Sequence, residues 1–145
     1  MPSSKAFKSQ GAVLQYGDKG DGTSTVWTTV AELKQVQRSG QKSDMADVTN
    51  LDSPSAYREK LPTLLDAGEV TMGGNYLGNQ DASQGELQTL FDGQTLRDWK
   101  VVLPNSFGTW TFKAYVTEAT NFDLQFDKEA TFTAKLTITG PATFA

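Results

Sequence analysis

From Trp99 to the C-terminus, apolar and polar residues alternate with a period of two. Trp99, Val101 and Leu103 alternate ahead of Pro104. Trp110, Phe112, Ala114 and Val116 form one face, with Thr111, Lys113, Tyr115 and Thr117 on the other. Phe122, Leu124 and Phe126 alternate with Asp123, Gln125 and Asp127. Ala130, Phe132, Ala134, Leu136 and Ile138 alternate with Thr131, Thr133, Lys135, Thr137 and Thr139. Successive side chains of a strand point to opposite faces, so this pattern predicts antiparallel strands with one dry and one wet face. Strands spaced so closely fold into a sandwich or barrel. At 145 residues, 37% of them apolar, the chain can bury one modest core. One domain over 1–145 is expected.

The single helix signal lies at 83–93. Ser83 followed by Glu86 reads as a capping box, Leu87, Leu90 and Phe91 as the apolar stripe, and Gly93 as the closing glycine. So short a helix must be held by packing. The fold class read from these features is all-β: an antiparallel sandwich or half-barrel flanked by one α-helix, with a long arm-like loop.

The first half supplies the rest. Residues 1–12 read as a flexible N-terminal segment, and 17–25 as a Gly-rich loop with a mobile, solvated tip. That loop separates Val13–Tyr16 from Val26–Val30, predicting a hairpin. Residues 26–39 read as one strand ended by Ser39-Gly40, and 69–77 as another, with Gly73-Gly74 marking a bulge or close backbone approach. Between them, 44–68 is turn-rich and broken by Pro62. This arm carries Leu51, Tyr57, Leu61, Leu64 and Leu65. Either a partner covers them, or the arm packs back on its own domain.

The chain has no histidine and no cysteine. That excludes thiol nucleophiles, thiolate zinc sites, disulfides and any imidazole base. Carboxylate chemistry, a Ser-Lys dyad and carboxylate-bound Mg or Ca stay open. Ser39 to Lys42 fits Ser-x-x-Lys without its companion Lys-Thr-Gly. Asp18–Gly22 resembles a calcium loop, but Thr29 stands where the closing Glu belongs. Glu118, Asp123 and Asp127 could supply a glycosidase pair, but Asp123 and Asp127 fall on the wet face of a strand, where carboxylates are usually just solvated. No catalytic residue, cofactor site or metal site is expected. A net charge of −4 argues against a grip on nucleic acid, which needs cations to release counterions. There is no run of 18 apolar residues, so no membrane insertion is expected. The Met1–Lys5 start lacks the apolar stretch of a signal peptide.

Asp47-Val48-Thr49-Asn50-Leu51-Asp52-Ser53, Tyr57-Arg58-Glu59-Lys60-Leu61-Pro62, Leu65-Asp66-Ala67-Gly68-Glu69-Val70 and Asn75-Tyr76 follow one another in fixed order. Trp110–Thr117 and a closing strand ending at Gly140 come after them. In this order and spacing the chain resembles the tail tube proteins (major tail proteins) of long-tailed bacteriophages, of the lambda-like, non-contractile kind. Some members carry a further immunoglobulin-like domain, absent from these residues. The resemblance implies a structural virion protein, not an enzyme, assembled in the host cytoplasm. It implies homo-hexameric rings that stack helically into a tube around the tape-measure protein. The tube would later conduct double-stranded DNA, and would meet tail tip and tail terminator proteins at its ends. On this reading the arm residues Leu51, Tyr57, Leu61, Leu64 and Leu65 form the inter-subunit interface. The bore should be the wet face of a sheet, with Glu69, Asp123 and Asp127 nearest it, and with Lys113 and Lys135 turned elsewhere or offset. The competing readings are a contractile-tail or secretion-system tube protein, a small β-sandwich binding module of decoration or adhesin type, and a carboxylate hydrolase.

Overall fold

The computed structural model describes residues 4–52 and 57–145. Its backbone is the long hairpin of β8 (Thr109–Asp123) and β9 (Thr131–Phe144). Around it lie β1 (Val13–Gly17), β2 (Trp27–Thr29), β3 (Leu33–Ser39), β6 (Glu69–Asn75) and β7 (Arg97–Val102). These seven strands form one antiparallel sheet in the order β2-β1-β7-β8-β9-β6-β3. β4 (Lys42–Asp47) and β5 (Lys60–Asp66) pair separately. The helix α1 spans Ala82–Asp92.

The two edge strands, β2 and β3, are consecutive in the chain and joined by only three residues, Val30 to Glu32. A link that short spans at most about 14 Å from Thr29 to Leu33. The sheet therefore curls until its edges face each other. This is the expected half-barrel, an all-β fold flanked by one helix. The expected single strand over 26–39 is instead these two strands. They break at Glu32, whose φ of +53° turns the chain from one edge to the other.

The inner face carries the core: Leu14, Trp99, Phe112, Ala114, Val116, Phe132, Ala134, Leu136, Val70 and Met72 are buried. Leu87 and Leu90 of α1 close over it, while Phe91 stays partly exposed, so the helical stripe is narrower than expected. Along β8 the buried positions run 112, 114, 116 and then 119. Register irregularities between Val116, Glu118 and Asn121 produce the switch. Thr117–Asn121 breaks the sequence alternation for this reason, yet β8 runs through it. The strand expected over 122–127 does not form. β8 ends at Asp123, just past Phe122, and Leu124, Phe126 and Asp127 lie in the connection to β9.

The helix start also differs from expectation. Asp81 is the N-cap, its carboxylate accepting from Ser83 N at 2.8 Å. The Ser83 hydroxyl donates to that carboxylate and accepts from Ala31 N at 3.1 Å. At the other end Gly93 keeps a right-handed φ of −85°, and Gln94 takes the left-handed turn at +48°. The 17–25 loop, expected to be mobile, is folded over buried Asp98. That carboxylate accepts from Gly22 N at 3.0 Å and from the Ser24 hydroxyl at 2.7 Å. Residues 4–12 form no strand, and Phe7 packs on Phe107 with ring centroids 5.0 Å apart.

Candidate assembly surfaces

The 44–68 arm is a β-ribbon rather than an irregular loop. β3 and β6 pair from Ser39↔Glu69 inward, while β4 and β5 pair from Lys42↔Asp66 outward. A corner separates the two halves of this hairpin. Gly40 and Gly68 turn it with φ of +80° and +92°, and a Cβ at Gly68 would sit 2.2 Å from Ser39 O. Only glycine fits such a position. Arg38 locks the corner, donating to Ala67 O at 3.0 and 2.8 Å and lying 4.9 Å over the Trp110 ring. Pro62 sits in β5 opposite Met45, beside a register irregularity. An edge strand tolerates proline there, which is why it breaks no element.

Every residue of β5 is exposed. Leu64 is 73% and Leu65 84% exposed, and Leu51, Tyr57, Leu61 and Met45 are also bare. The arm does not pack back on its own domain. An isolated two-stranded ribbon is marginal in water, and it carries large apolar side chains with no core beneath them. Residues 53–56, including Ser53 of the arm, lie outside the described residues.

A second bare surface escaped the sequence reading. Phe122, Leu124 and Phe126 cluster at the β8–β9 tip and are all exposed, Phe126 fully. Tyr76 stacks on Phe122 with centroids 5.5 Å apart, and Lys34 pairs with Glu129 at 3.0 Å. The signal was present as apolar residues at 122, 124 and 126. Alternation marks these three as one strand face but does not say whether that face is covered.

The wet face of β3, β6, β9 and β8 presents Gln35, Gln37, Thr71, Thr131, Thr133, Thr137 and Thr139. Glu69 lies on it opposite Thr137, and Asp123 opposite Thr131. Asp123 stands opposite the start of β9 and Glu69 opposite its middle, six residues apart in register, about 20 Å at strand rise. Asp127 is on the tip turn and not on the face. Lys135 lies on the same face between two carboxylates, 3.3 Å from Glu118 and 3.5 Å from Glu69. The hydrogen bond that Lys135 donates to Glu118, then the charge of Glu69, raise the ammonium above its ordinary pKa. Lys113 of β8 lies on the same face, opposite Thr139, and Lys100 of β7 lies opposite Thr111. Lys100 sits 4.3 Å over the Trp27 ring, and the Gly22 loop lies against the Lys113 stem.

The lambda phage tail tube protein family matches residues 15–145. The chain belongs to this family. It is thus a structural component of a virion tail. No curated protein sequence is significantly similar to the chain. Solved structures share the tail tube fold. The tail of an empty gene transfer agent particle, computed with helical refinement and C6 symmetry, superposes with a TM-score of 0.73 at 21% identity, over 97% of this chain and 99% of that one. The sheath/tube terminator of the PVC extracellular contractile injection system gives 0.70 at 13% identity, over 99% of each chain. The SPP1 tail tube gives 0.63 at 9%, over 92% of this chain and 75% of that one. The fold is common to a gene transfer agent tail, a terminator of a contractile injection system and the SPP1 tail tube.

The residues singled out for chemistry do not come together as a site. Asp123 accepts from Gln125 at 3.0 Å, whereas Glu118 is engaged by Lys135. Among the described residues no three His, Cys, Asp or Glu side chains converge as metal ligands, and no helix is long and apolar enough to cross a membrane. Asp18 accepts from Thr25 N of its own loop at 3.0 Å. Ser39 ends β3 and Lys42 opens β4 across the Gly40 corner.

Proposed function

We propose that the chain polymerises as stacked hexameric rings into a phage tail tube that encloses the tape-measure protein and later conducts double-stranded DNA. The ribbon carries this reading. β4 and β5 hold Leu61, Leu64 and Leu65 away from the core, and burying one such side chain on a neighbour is worth about 1.5–3 kcal/mol. Leu51 and Tyr57 at the ribbon's end extend the same contact. The C6 symmetry of the similar gene transfer agent tail supports six subunits to a ring. The similarity to a sheath/tube terminator supports tail terminator and tail tip proteins as partners at the tube's ends.

In this assembly the wet face of β3, β6, β9 and β8 lines the bore, with Glu69 and Asp123 on the wall and Asp127 at its rim. A phosphate backbone is held where it can release counterions onto free cations. Lys135 is placed between Glu118 and Glu69, so this trio carries a net charge of −1 and presents hydroxyls around it. Screening confines the repulsion to about 8 Å at physiological salt, so only wall residues matter. Negative-stain microscopy of concentrated protein tests the assembly. Hollow tubes or six-fold rings are expected, and a protein that stays monomeric at high concentration would refute it.

A further inference from the structure

We propose that the β8–β9 tip of one subunit docks into a groove at the foot of the ribbon of a second copy stacked on it end to end. The inference rests on the tube reading above and names the contact that joins one ring to the next.

The groove has a volume of about 640 Å³ and is lined by Leu65, Ala67, Pro141 and Ala142, with Arg38 and Lys42 beside them. That volume is in the range that holds a small ligand, ample for two apolar side chains. The tip offers Leu124 and Phe126, the latter with no cover at all. At its base Tyr76 stacks on Phe122 and Lys34 pairs with Glu129.

Position makes the occupant a second copy. The tip precedes Thr131 at one end of β9, and the groove lies at Gly140 to Ala142 near the other. Nine residues of strand separate Thr131 from Gly140, about 30 Å. A subunit's tip therefore cannot reach its own groove. Two different surfaces at opposite ends make a heterologous contact, which builds an open stack wherever its repeat does not close into a ring.

Charge agrees. Asp127 on the tip and Lys42 at the groove have no ion pair among the described residues. Arg38 is already committed to Ala67 O, and Asp66 accepts from Gly68 N at 2.8 Å. Lys42 is thus the cation left for Asp127. Docking would also cover Leu65.

The absence of cysteine makes the test direct, since introduced thiols have no native competitor. Tubes of the Phe126→Cys, Ala142→Cys double variant, once oxidised, should give a ladder of covalent multimers on a non-reducing gel. Each single variant should stay monomeric there. Phe126→Asp should raise the protein concentration needed for tubes at least tenfold while leaving rings and the thermal melt intact. Asp127→Lys should weaken stacking, and adding Lys42→Asp should restore it. Tubes of the double-cysteine variant without a ladder, or Phe126→Asp tubes at the wild-type concentration, would overturn the docking and leave the tube reading standing. Wild-type protein that never forms tubes would overturn both.

Discussion

The side-chain amide of Gln84, buried in α1, donates to the carbonyl of Ala31 at 3.2 Å. Ala31 is the midpoint of the link between the two sheet edges. The same amide donates to Asn75 O at 2.7 Å, and its oxygen accepts from Leu77 N at 2.9 Å. One helical side chain thus ties the edge-to-edge link to the end of β6 and to the approach to the helix. Gln84→Ala leaves these backbone groups without partners, each at about 1–3 kcal/mol. The variant should lose about 2–4 kcal/mol in urea unfolding of the monomer. A loss below about 0.5 kcal/mol would show that the clamp contributes little.

Asp98 plays the matching part for the 17–25 loop. Besides the bonds to Gly22 and Ser24, its backbone N donates to Lys19 O at 2.8 Å. Asp98→Ala should destabilise the fold by about 2–3 kcal/mol, as expected for lost hydrogen bonds to a charged group. Trypsin should then cleave at Lys19 many times faster than in the wild type. Unchanged cleavage would mean that the loop holds its shape without the carboxylate.

The ribbon prediction separates assembly from folding. Leu61→Asp with Leu64→Asp alters two exposed positions, so the monomer should unfold within about 0.5 kcal/mol of the wild type. Tubes and rings should be absent by microscopy. Normal tubes from this variant would remove the ribbon from the interface.

Asp81 sets part of the acid response. The hydrogen bonds from the Ser83 hydroxyl and backbone N hold its carboxyl below the usual range. A lowered folded-state pKa contributes stability that is fully present above the unfolded value, about 3.9, and is lost as pH falls through the lowered one. The urea midpoint of Asp81→Asn should lie below the wild type by a constant amount above about pH 5. The gap should narrow steadily toward about pH 2. A gap that stays the same across that range would contradict the assignment.

Lys135 tests the wall. Glu69→Gln with Glu118→Gln frees its ammonium, and tubes of this variant should retain duplex DNA at low salt and release it as salt rises. Adding Lys135→Gln should abolish that retention. An Asp52→Asn, Asp92→Asn control makes the same change in net charge away from the trio and should retain nothing. Equal retention by control and double variant would place the effect in overall charge rather than in the trio.

Much of the fold was legible because its signals are local. The period-two pattern of β7, β8 and β9 registers which side chains share a face. Leu87 and Leu90 mark a helical stripe four residues wide, and Gly73-Gly74 marks a close approach. A Cβ on Gly74 would lie 2.3 Å from Glu32 O. The apolar set of the arm was equally plain, as was the family resemblance.

What the tertiary structure alone decided depends on residues far apart in sequence. Ser83 looks like a cap until Ala31, 52 residues away, is seen bonded to its hydroxyl, leaving the cap to Asp81. The Gly-rich loop looks mobile until Asp98, 76 residues from Gly22, closes on it. Phe126 belongs to an apolar alternation like any other, yet none of the described residues covers it. Backbone periodicity is set by neighbouring residues. Which groups find partners, and which are left bare for another subunit, is set by how the sheet curls.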